Sequence, residues 1–93
     1  MATQNIQTAT LANVSSSASS VTLFSANGGA RARAIYNDST AVLYVKFGAT
    51  ASATSYTVQM EADAYYEFPQ PLYGGRVDGI WASANGSART TEW

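Results

Sequence analysis

The chain has 93 residues, 46% of them hydrophobic and only 12% charged, with a formal net charge of −1. That length suits one domain with one modest core. It contains no Cys and no His, which excludes disulfides, thiolate chemistry, zinc–thiolate sites and the commonest general base, and its five basic residues are scattered, unlike the clustered footprint that binds nucleic acid.

Residues 1–19 are a Ser/Thr/Ala-rich stretch with isolated Ile6, Leu11 and Val14. Ser-rich composition opposes a helix. The stretch lacks the basic and apolar regions of a secretory signal, so no secretion is expected. No apolar run approaches the length of a membrane span, so no membrane partner is expected. The reading is a flexible tail or an extended arm that orders against a neighbour, ahead of a β domain over 20–93.

From Val21 onward the pattern is strand, turn, strand. Val21–Phe24 is a short β-type run, broken by Asn27-Gly28-Gly29. In 31–37, Arg31, Arg33 and Ile35 fall on one face and Ala32, Ala34 and Tyr36 on the other. Asn37–Thr40 is a polar turn. Over 41–47, Ala41, Leu43, Val45 and Phe47 share a face, the clearest strand signal in the chain. After a small-residue loop, Tyr56, Val58 and Met60 are expected inward. Tyr65–Phe68 follows, ended by Pro69 and Pro71, which cannot donate ladder bonds. Segments 77–83 and 88–93 are the last two strands, joined through Asn85-Gly86, and Trp93 is expected to be tied down. About seven short strands with regular turn signals and no helical period predict an all-β fold, a small antiparallel β-sandwich or barrel.

Catalysis would need a carboxylate pair or a Ser–Lys pair. Asp38 sits in a turn, where its side chain is expected to cap its own backbone. Glu61 and Asp63 flank a link without calcium-loop spacing. Glu67 faces solvent, Asp78, which follows Arg76 and Val77, can pair across a strand, and Lys46, the one lysine, points outward. The Gly-rich turns lack phosphate-loop spacing. The expectation is therefore a protein that is not an enzyme, with no catalytic, cofactor or metal residues. The aromatics suit a sandwich core, and an exposed subset suits a protein interface or a sugar-stacking platform at Trp81, Tyr73 or Tyr65. Tyr65 and Tyr66 must point to opposite faces, leaving one exposed.

The segment SANGGARA (25–32) returns as SANGSART (83–90). Asn-Gly supplies hairpin turn chemistry, but that does not account for Arg31 and Arg89 at the same offset. Each ends either in water or on a partner's carboxylate.

Residues 34–93 carry AIYNDSTAVLYVKFGATASATSYTVQM, continuing into YYEFPQPLYGGRVDGIWASANGSARTTEW. This pattern resembles small structural proteins encoded by tailed bacteriophages. The resemblance implies a β-sandwich virion protein, made in the host cytoplasm. Its expected role is capsid decoration (cement), bridging neighbouring capsomers. The alternative is a head-fibre or tail-associated module that binds host-surface carbohydrate. The implied partners are the major capsid protein or another virion protein, and further copies of the chain, with a trimer as one form. The candidate interface residues are Ile6, Leu11, Val14, Arg31, Arg33, Tyr65, Tyr73, Arg89 and Trp93.

Overall fold

The computed structural model describes residues 6–93, so residues 1–5 of the expected arm lie outside the described residues. Eight strands follow in chain order: β1 (Thr10–Ser15), β2 (Val21–Phe24), β3 (Arg33–Asp38), β4 (Leu43–Phe47), β5 (Val58–Met60), β6 (Tyr65–Glu67), β7 (Val77–Trp81) and β8 (Ser87–Glu92). They form two four-stranded sheets, β1-β8-β3-β6 and β2-β7-β4-β5. All strand pairings are antiparallel. The fold is a small β-sandwich.

The period-2 pattern places the core between the sheets. Leu43 and Val45 on β4, Ile35 on β3, Val77 and Trp81 on β7 and Ala88 on β8 face inward and are buried. Leu23 packs over Gly79, where a methyl group would come within 2.7 Å of the Leu23 Cδ1. The missing side chain leaves room for Leu23 of β2 and Leu43 of β4 to lie over β7.

Three buried polar side chains stitch loops to strands. Asn37 donates through Nδ2 to the carbonyls of Ala41 (2.9 Å), Met60 (3.3 Å) and Glu61 (3.0 Å). Its Oδ1 accepts from Ser39 Oγ (2.8 Å) and Trp81 Nε1 (3.2 Å). Asp78 accepts from the Thr50 amide (2.8 Å) and from Arg76 Nε (2.9 Å). Arg33 is the third. Among the described residues, no buried side-chain nitrogen or oxygen lacks a partner, which is how such groups avoid the cost of desolvation.

Four features differ from the sequence reading. The extra strand is β1, paired residue for residue from Thr10↔Glu92 to Ser15↔Ser87. Five of its six side chains are exposed and only Val14 is half-buried. Backbone ladder bonds hold it, so no apolar alternation announces it. Tyr56, expected inward, precedes β5 and is 41% exposed, its ring 5.0 Å from that of Tyr44. Asp38 lies at the end of β3 and accepts from Arg89 Nε rather than capping its own turn. Finally, the two Asn-Gly segments are not hairpins. Each carries the chain from the second sheet to the first, β2 to β3 and β7 to β8. Since β2 pairs with β7 and β3 with β8, both antiparallel, the two repeats join topologically equivalent strand pairs.

Candidate interaction surface

The outer face of the first sheet is assembled by cross-strand register. Tyr65 on β6 lies opposite Tyr36 on β3, Tyr36 opposite Arg89 on β8, and Arg89 opposite Asn13 on β1. The adjacent row on the same face is Glu67, Ala34, Thr91 and Leu11. Residues directly opposite in an antiparallel ladder share a face. Ile35, Tyr66 and Thr90 alternate with these rows and turn toward the second sheet. Leu11 is 75% exposed and Tyr65 62% exposed, the two most exposed large hydrophobic residues among those described.

Polar groups order this face. Arg89 Nε donates to Asp38 Oδ2 at 2.8 Å, with both side chains largely open to water, so the pair contributes orientation more than stability. The Tyr36 hydroxyl donates to Asp63 Oδ1 at 3.1 Å. That bond, then desolvation and the Asp63 charge, raise the phenol above its ordinary pKa.

The predicted interface residues separate into three groups. Leu11, Tyr65 and Arg89 share this outer face, on β1, β6 and β8. Ile6, Arg31 and Trp93 meet at a corner, around a shallow cleft of about 330 Å³ shared with Gln7, Thr8 and Gly29. There the Trp93 amide donates to the Ala32 carbonyl (3.0 Å), and the Trp93 carbonyl accepts from the amides of Arg31 (2.6 Å) and Ala32 (2.8 Å). The expected tethering of Trp93 is thus a backbone clasp on the start of β3. The third group is internal. Val14 packs against the core. Tyr73 stacks on Phe47 at 4.9 Å and its hydroxyl donates to the Arg76 carbonyl. Arg33 has no exposed surface and spends its donors inside the chain, so it presents nothing to a partner. It alternates in step with Ile35, as the sequence pattern predicts, and that face is the core.

Arg89 and Arg31, the matched residues of the repeat, have different fates. Arg89 ends on a carboxylate of its own chain. Among the described residues the exposed Arg31 guanidinium meets no carboxylate. Tyr36, Asp38 and Asn13 join the surface without having been singled out for it. Tyr36's alternation with Ile35 was the available signal.

Chemical groups are dispersed elsewhere. Glu92, Asp78 and Asp38 are each held by an arginine of the chain. Glu61, Asp63 and Glu67 are exposed. Of four surface clefts, none is lined by two carboxylates. No cluster of three or more acidic side chains suited to a metal occurs among the described residues. Trp81, one of three aromatics considered for sugar stacking, is 2% exposed and Tyr73 is half-buried, leaving Tyr65. The chain matches no protein-family model, no curated protein and no solved structure.

Proposed function

We propose that this is a non-enzymatic structural protein of a phage particle that decorates an assembled capsid shell, docking through the outer face of its first sheet. The observation that carries the docking face is the placement of Leu11 and Tyr65, both widely exposed, on one sheet face at its opposite edges, β1 and β6, with Tyr36 and Arg89 between them. Exposed tyrosine and arginine on one face are residue types enriched at protein interfaces. The phage assignment is supported by the resemblance of residues 34–93 and by the charge-poor composition, which suits a surface covered in an assembly.

Four strands spaced ~4.8 Å apart and ~17 Å long offer a plane of roughly 300 Å². That is well below the ~800 Å² per partner of a stable pairwise interface, so one such contact is weak. A copy that bridges two neighbouring capsomers compensates by avidity. A protein that binds only the expanded shell stabilises that shell by mass action.

The test is to incubate the purified protein with expanded phage shells lacking it and to image them. Occupancy of defined lattice positions is expected, and its loss in Leu11→Ser/Tyr65→Ser with thermal stability unchanged. Shells left bare by the wild-type chain overturn the decoration role. Full occupancy by the double variant overturns the docking face.

A further inference from the structure

The four sheet edges are not alike. An open edge offers unpaired backbone groups to another strand, and proteins ordinarily blunt it with short strands, bulges, prolines or charges. Edge strands β5 and β6 have three residues each, and Pro69 and Pro71 follow β6 closely. Edge strand β2 has four residues and a register break between Thr22 and Phe24. Edge strand β1 has six residues in unbroken register, with no proline, no charge and no bulge. Among the described residues, no strand pairs with its other side.

The phase of the ladder tells which groups are open. The Ser16 amide donates to the Gly86 carbonyl at 3.1 Å, continuing the register of Ser15↔Ser87. Backbone groups of successive residues point to alternate sides of a strand. Ser16, Val14, Ala12 and Thr10 therefore bond toward β8, and Leu11, Asn13 and Ser15 turn their N–H and C=O outward.

We propose that β1 pairs antiparallel with β1 of a second copy of this chain, across a two-fold axis at Asn13. The sheet then continues through eight strands, β6-β3-β8-β1 running into β1-β8-β3-β6 of the other copy. Three features single out a second copy as the occupant. In the register centred on Asn13, Leu11 of each copy faces Ser15 of the other, so every outward donor meets an outward acceptor. An uncharged strand does not repel itself at its own axis, as a lysine or glutamate edge would. A two-fold axis perpendicular to the sheet keeps the faces in place, so each interface residue meets its counterpart as closed, isologous symmetry requires. The two outer faces become coplanar, which doubles the surface bearing Leu11, Tyr65 and Arg89. The pairing goes beyond the decoration role and is tested in solution without a shell.

The chain has no native cysteine, so a single introduced thiol reports one position. In Asn13→Cys the two sulfurs meet at a hydrogen-bonded pair with Cα atoms ~5.5 Å apart, within disulfide range. Rapid covalent dimerisation under mild oxidation is expected, with Ala53→Cys on an exposed loop remaining monomeric. Light scattering and sedimentation should show a concentration-dependent dimer for the wild-type chain. Asn13→Pro removes an outward N–H without touching the β8 ladder, and should be monomeric with an unchanged circular dichroism spectrum. Should Asn13→Pro fail to fold, Asn13→Lys places two ammonium groups at the axis and should dissociate the dimer equally. A wild-type chain that stays monomeric at its highest soluble concentration overturns the proposal. So does an Asn13→Cys chain that crosslinks no faster than Ala53→Cys, or a dimer that survives both Asn13 substitutions.

Discussion

Arg33 Nε donates to Glu92 Oε2 at 2.7 Å, from a side chain with no exposed surface to one that is 21% exposed. The rest of the guanidinium binds the carbonyls of Ser25 (2.8 Å), Tyr73 (3.0 Å) and Gly75 (2.7 Å), over the face of the Phe24 ring. One planar fork thus ties both loops at this end of the sandwich to β8. Arg33→Lys keeps the charge but offers a point donor where a fork is needed. It should cost at least ~2 kcal/mol in urea unfolding, approaching the ~3–5 kcal/mol typical of a broken buried pair. A loss within experimental error would show that the carbonyls find water instead.

The bond from Trp81 Nε1 to Asn37 Oδ1 links β7 across the core to β3. Trp81→Phe retains most of the apolar contact but leaves Asn37 Oδ1 with Ser39 alone. A loss of ~1–3 kcal/mol is expected from the vacated bond and the missing ring volume. Thermal unfolding monitored by circular dichroism measures it. Asn37→Leu should be worse, because the carbonyls of Ala41, Met60 and Glu61 lose their shared donor.

Asp78 makes stability depend on acid. Burial works to raise its pKa, but the Arg76 guanidinium and the Thr50 amide outweigh that and hold the carboxyl below its ordinary range. A folded value below the unfolded one gives stabilisation that is complete above the unfolded pKa of about 3.9. It is lost as pH falls through the folded value. Asp78→Asn should therefore lower the melting temperature at neutral pH and flatten its fall below about pH 4. Parallel acid limbs for the two proteins would assign the acid dependence to other carboxylates.

The glycines of the repeat are not interchangeable. Gly86 has a φ of +71°, and a methyl group there would run into the Asp38 carbonyl oxygen and Ser39. Gly28 has nothing within 4 Å of where a methyl would sit. Gly86→Ala should destabilise by more than ~1 kcal/mol, from the left-handed backbone and the clash together. Gly28→Ala should be close to neutral. Equal effects would mean that the two arches share one backbone conformation.

The alternating apolar residues of 41–47, the Val-Gln-Met and Tyr-Tyr-Glu segments and the spacing of turn signals were enough to specify an all-β fold, a sandwich or a barrel; the two separate sheets decide for the sandwich. The reason is physical: a half-buried strand writes its buried face into every second residue. The opposite orientations of Tyr65 and Tyr66 follow from the same rule. What escaped that rule depended on partners distant in sequence. Strand β1 is held by backbone bonds to β8, so its side chains carry no pattern. Arg33 looked like a surface cation because charge predicts exposure. Only the meeting of Ser25, β8 and the 73–75 loop supplies the acceptors that let it be buried. The likeness of the two SANG segments marked two turns, but not that both cross between sheets. It did not foretell that Arg89 closes on Asp38 while Arg31 meets no described carboxylate. Local sequence set the strands from β2 onward, most of their faces and the places where the chain turns. Register between strands many residues apart decided which side chains share a surface.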